Sequence, residues 1–352
     1  MKKSRFLTLM PVLVILLLIV CILLDPAACR AGAAEGLALC GRVVIPSLFP
    51  FTACILFLSK CGLPDHLRVL SPVTRRVFGL SGGQFALVFF SFLGGYPIGA
   101  KLLDAAVRQK RISPQNAGRM LYYSVNAGPA FVVLAIGQGL LGSRAAGYLL
   151  LSAHIAAAIL IALAVRFFLE KESDTMPETT SRQNAADCFV AAVSDAADAL
   201  LHICAYVIFF STVLAYVQGL ATVFPLAENL CYVLEVTCAV GMTRNLPLIA
   251  FLLGFGGLSV WCQVFSVGKA IAIRPFFFAL ARLAHGLLSA LLATLLLKIF
   301  NLSLPAAATT GTSFSFFCNG PALSLSMAAM TVLLLLSLFS ENRSGNLLHD
   351  LL

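Results

Sequence analysis

The sequence predicts an all-α polytopic membrane protein: two inverted repeats, each with a re-entrant helical hairpin and a broken transmembrane helix. Three observations predict it. Hydrophobic residues make up 60% of the 352-residue chain and charged residues only 11%, whereas a water-soluble domain carries roughly 25% charge. Short basic loops separate the apolar runs. Two of those runs are cut by glycine and proline where a bilayer tolerates non-helical backbone only if protein or a water-filled cavity satisfies it.

The net charge of +9 sits mostly between apolar runs, as the positive-inside bias produces, so the partners expected are the lipid bilayer and a solute, not nucleic acid. None of the eleven cysteines forms a CxxC pair or has zinc-ligand spacing, so neither a disulfide framework nor a metal is expected. HExxH, GxSxG and Walker motifs are missing. The chain is therefore not read as an enzyme and needs no cofactor; a coupling ion, H+ or Na+, stays open, as does a homo-oligomer.

In chain order, Lys2, Lys3 and Arg5 precede an apolar run, Phe6–Leu24, longer than the 7–15 residues of a signal-peptide core. An uncleaved first span with a cytoplasmic N-terminus follows, with an outer loop completing a unit over residues 1–35. Leu37–Leu58 is the second span and delivers Lys60, Arg68, Arg75 and Arg76 to the inside. Next comes FLGGYPIGAK. Gly94, Gly95 and Pro97 cannot continue a helix, and the arm before them, Phe85–Leu93, is roughly 14 Å of helix, half a hydrocarbon core. Arg108, Lys110 and Arg111 end the second arm. They stay inside only if the chain turns back, so Phe85–Val107 is predicted as a re-entrant hairpin. A span starting at Ser113-Pro114 breaks at Asn126-Ala-Gly-Pro129 and resumes to Leu141; Ala145–Phe168 returns inside. The first repeat covers 36–168, and a polar cytoplasmic linker covers 169–186.

The second repeat is placed at 187–340 and the tail at 341–352. A shift of 162 positions lays Gly94-Gly95 on Gly256-Gly257 and Lys101 on Gln263, brings Pro114 within one residue of Pro275, and sets Asn126 near His285-Gly286. An odd number of crossings inverts the second copy. Its hairpin is then expected to enter from outside with Arg244 and Arg274 at that face, and the last span, Ala322–Phe339, to end outside.

The segments FSFLGGYPIGAKL, GGLSVWCQV and RPFFFALARLAHG resemble the YlbJ-like, or SpoVV, sporulation integral membrane proteins. These belong to the gate, or nucleoside-recognition, superfamily and are distantly similar to concentrative nucleoside transporters. The resemblance covers about Gly36 to Leu297. It implies movement of dipicolinic acid across the outer forespore membrane during endospore formation. A nucleoside or other small-solute transporter, and a non-transporting sporulation envelope assembly protein, are the competing expectations.

Candidate substrate-binding residues follow from the breaks. Gly94, Gly95, Tyr96, Pro97, Gly128, Gly256, Gly257 and Ser259 form them, and Lys101 lies one turn beyond the first, a cation placed near the midplane. Intramembrane charge is costly and faces a cavity or a partner, so Lys101 either meets a small anionic solute, or pairs with Asp104 or snorkels. Gln263 occupies the matching place in the second half. Arg282 and His285 share a helical face and either add a second cation to the site or brace carbonyls. Asn126 contacts solute or caps the broken helix. Tyr96 and Trp261 stack on an aromatic ring or pack. Asp195, Asp198 and His202 form a stripe that suits an ion or a wet helix face, Glu235 stands alone among apolar residues, and Arg119 is expected near the inner surface.

Overall fold

The computed structural model describes residues 2–61, 66–170, 184–221 and 231–300, where all regular structure is helical. The expected span Ala322–Phe339, the tail and most of the linker lie outside the described residues. Among the described residues, five helices are long and apolar enough to cross a membrane, or six if a bent pair counts as one span. The coarse expectation of an all-helical, multi-pass membrane protein therefore holds.

Helix α1 is Lys2–Leu24. Only Asp25 separates it from α2, Pro26–Lys60. The Asp25 carboxylate accepts the Ala28 N–H at 3.0 Å and Pro26 takes the first helical position, both helix-starting devices. The outer loop expected up to residue 35 is thus mostly helix, because a cap and a proline start the second span early. One wide turn, Cys40–Val44, precedes Pro46 and accommodates its missing N–H.

Helix α3, Ser71–Phe78, meets α4, Gly82–Gly94, at 75°. Ser81 and Gln84 close a reciprocal cap on α4. At Gly95 the chain folds back into α5, Tyr96–Arg108. A Cβ on Gly99 would lie 2.9 Å from the Ser91 Cβ, although eight residues of straight helix span roughly 12 Å. Helix α6, Pro114–Ser124, ends in extended backbone at Val125; the wide helix α7, Ala130–Leu140, and then α8, Arg144–Val165, follow.

In the second half α9 is Ala185–Ala221, α10 is Val236–Gly241, α11 is Leu246–Phe255, α12 is Gly257–Val267 and α13 is Pro275–Phe300. Helices α2 and α9 pack antiparallel along their length. Lys60 pairs with Asp195 at 2.9 Å, the Phe57 and Phe189 rings lie 6.0 Å apart, and Cys40 reaches the Cys204 carbonyl. Toward the other end a Cβ on Gly36 would lie 2.9 Å from the Ser211 Cβ, and one on Gly32 would lie 2.6 Å from the Ala215 Cβ. Small residues let these backbones approach, as in membrane helix pairs generally.

The second glycine pair behaves differently from the first. Phe278 of α13 meets Phe265 and Trp261 at ring distances of 5.3 and 5.6 Å, while Gly286, two turns on, abuts Gly254 and Phe251. As the number falls along α12 and α11, the partner's number rises along α13. The two helices therefore run in one direction, and Leu246–Val267 makes one 22-residue candidate span. The hairpin expected at Gly256-Gly257 is not formed. The physical reason is local: the Gly256 N–H still bonds to the Leu252 carbonyl at 2.8 Å, and no proline follows the glycines as Pro97 follows Gly95.

One further expectation changes with it. The Ala272 N–H bonds to the Pro114 carbonyl at 3.1 Å, so Arg274 lies at the same end of the molecule as the start of α6, not at the opposite face with Arg244. His154 of α8 and His285 of α13, 131 positions apart, stack with ring centroids 4.4 Å apart. Gly147 of α8 packs on Val133 and Gly137 of α7 as Phe278 of α13 packs on Trp261 and Phe265 of α12.

Candidate functional site

Three chain breaks converge in the interior. Gly95 has φ 90 and ψ 179, backbone open essentially to glycine alone, and a Cβ there would sit 3.5 Å from the Gly128 nitrogen. Gly256 has φ 84 and faces the Tyr96 ring, and Gly257, at φ 70, faces the Val233 carbonyl and the Val236 nitrogen. Gly94 packs on Ile98, its neighbour across the fold-back. Tyr96 donates its hydroxyl to the Leu253 carbonyl at 2.8 Å, tying the first break to the last turn before the third.

Arg282 holds the other two. It is fully buried and donates from Nη1 to the Val125 carbonyl at 2.6 Å and from Nη2 to the Gly254 carbonyl. These are carbonyls that helix breaks leave without an intrahelical donor. His285 Nδ1 lies 2.9 Å from Arg282 Nη2 and accepts from it, which places the ring proton on Nε2, within 3.0 Å of the His154 carbonyl. His154 Nε2 in turn accepts the Ala127 N–H at 3.0 Å. One arginine and two neutral histidines thus pin the Asn126 break to the Gly256 break. Of the two roles open to Arg282, the brace is the one its bonds describe. His154 was not singled out by sequence reasoning; a lone histidine inside the apolar run Ala145–Phe168 was the signal that could have found it.

Asn126 donates to the Tyr123 carbonyl at 2.7 Å, and its Oδ1, although buried, accepts nothing among the described residues. Ser259 accepts from Gln263 at 3.3 Å, both buried. Trp261 packs against Phe255 and Phe278 and donates to the Phe255 carbonyl. Glu235 caps α10 by accepting the Cys238 N–H at 2.7 Å.

Beside this crossing lies a cavity of about 610 Å³ between α5, α9 and α12. Pro97 and Gln263 form its deep side, next to the breaks, and Lys101, Arg108, Asp198, His202 and Lys269 line the rest. Lys101 is partly exposed in this cavity. Its ammonium lies 3.5 Å from Asp195, whose carboxylate also holds Lys60 at the end of α2. Asp104, the partner expected for Lys101, instead takes Arg108 and the Ala270 N–H, each at 2.6 Å. Lys269 makes no ion pair among the described residues. No group of three metal-ligating side chains occurs among them, and Asp195 and Asp198 are used separately. Arg119 pairs with Glu170 at 2.8 Å.

Fold and site define an integral membrane protein, all-helical and multi-pass, with a buried polar crossing of broken helices beside an open cavity. The chain is similar to the sporulation integral membrane protein YlbJ of Bacillus subtilis (strain 168): 28% identical over 348 aligned residues, covering 85% of this chain and 85% of that protein. That near end-to-end similarity supports the YlbJ-like resemblance carried by the glycine motifs. No family model matches the chain, and no solved structure matches it.

Proposed function

We propose that this protein is a transporter that moves a small organic anion past the crossing of its three breaks, with dipicolinic acid as the substrate, across the outer forespore membrane. The observation that carries the proposal is the convergence of glycine breaks beside a cavity of about 610 Å³ lined by Lys101, Arg108 and Lys269. Broken helices that meet at a protein-enclosed site are the recurring substrate-site architecture of secondary transporters. An assembly protein has no use for such a site. Lys269, with no ion pair among the described residues, and Lys101, paired with Asp195, are the cations offered to a carboxylate. The choice of dipicolinic acid follows what the YlbJ-like resemblance implies, and the similarity to a sporulation integral membrane protein agrees with a role in sporulation.

On this proposal the N-terminus is cytoplasmic, and α4–α5 is a re-entrant hairpin that enters from the inside. Helices α11 and α12 cross the membrane. The antiparallel pairs α2/α9 and α8/α13 relate two inverted repeats. The alternative of a neutral nucleoside draws on one observation: Asp195 and Asp104 already neutralise Lys101 and Arg108. The test is complementation. In a sporulating cell lacking its own YlbJ-like protein, this chain restores dipicolinate in spores. Good expression with dipicolinate confined to the mother cell contradicts the substrate.

A further inference from the structure

We infer that the protein carries a binding site for one anionic phospholipid, in a groove separate from the transport path and independent of the substrate proposal. The groove, about 730 Å³, lies where α6, α8 and α13 splay at one end. Each helix offers it a stripe at the three- and four-residue spacing of one helical face: Gly118 and Tyr122 from α6, Leu160 and Ala164 from α8, Ala284 and Leu288 from α13. Leu160, Leu280 and Phe277 are half exposed, so the groove opens outward along apolar spans, toward lipid.

Its polar end supplies the charge. Arg119 and Arg274 both line it. The Arg274 side chain is exposed and makes no hydrogen bond or ion pair among the described residues, and Arg119 spends one nitrogen on Asn116 and Glu170. These arginines sit where α13 begins and α8 ends, the level at which a spanning helix meets headgroups, and Phe168 and Phe277 line the groove beside them. Two guanidinium groups above a chain-width apolar slot fit a phosphate diester carrying an acyl chain. A zwitterionic headgroup brings its own cation and gains less, and free phosphate leaves the apolar stripes without a partner. Basic pockets between spanning helices bind anionic headgroups generally.

Native mass spectrometry of the full chain in detergent, titrated with phosphatidylglycerol or phosphatidylcholine, tests this. One phosphatidylglycerol is expected to be retained in preference to phosphatidylcholine and to resist excess inorganic phosphate. Arg274→Gln should weaken retention about fivefold, and Ala284→Trp, which fills the slot, should abolish it while size-exclusion profiles stay those of wild type. Equal retention of both lipids, displacement by inorganic phosphate, or no change in Arg274→Gln overturns the proposal. So does cross-linking of a cysteine at position 284 to one within 322–339, which would make that segment the occupant.

Discussion

Arg282 shows what a buried charge does here. Its bonds go to two backbone carbonyls and a neutral histidine, so removing it strands acceptors in a dry interior, and each stranded acceptor costs about 1–3 kcal/mol. Arg282→Met is therefore expected to lower stability by about 2–5 kcal/mol, read as reduced abundance and a lower melting temperature in detergent. Arg282→Lys should rescue little, because one ammonium cannot span both carbonyls. An Arg282→Met protein as stable as wild type would contradict the brace. Lys101 is a contrasting case. It is partly exposed and shares Asp195 with Lys60, so Lys101→Met should leave abundance near wild type while lowering transport. Transport at the wild-type rate in Lys101→Met would remove it from the path. Sequence reasoning identified both residues as unusual and left open what each does, because spacing on one helix says nothing about which carbonyls another helix presents.

The helix breaks carry the lesson at the scale of elements. The turn at Gly95 was legible: short arm, two glycines, a proline, and cations after it all pointed to a fold-back. Gly95→Ala places a Cβ on backbone that glycine alone tolerates, at about 1–3 kcal/mol, and should lower the melting temperature more than Pro97→Ala does. Single cysteines at Ser81 and Gln109 in a cysteine-depleted background should be labelled from the same, cytoplasmic side. Labelling of position 109 from outside would contradict the re-entrant hairpin. The break at Gly256 was legible as a break and not as a direction. A glycine pair permits reversal without requiring it, and the packing of α11 and α12 along one face of α13 decides the matter. The 162-position match joined two glycine pairs of which the first folds the chain back and the second lies within one candidate span.

For the whole molecule, composition sufficed for the class, since 60% hydrophobic and 11% charged residues leave few alternatives to a multi-pass membrane protein. Which segments meet was not legible, because His154 against His285 and Asp195 between Lys60 and Lys101 join residues 131, 135 and 94 positions apart. Such contacts arise from tertiary packing of apolar helices whose sequences differ little from one another. Transport of a small organic anion past the crossing is tested by uptake of labelled dipicolinate into liposomes containing the purified chain. Saturable uptake that Lys101→Met reduces and that uridine does not compete is expected. Correctly inserted protein that passes no dipicolinate, or that takes up uridine instead, would contradict it.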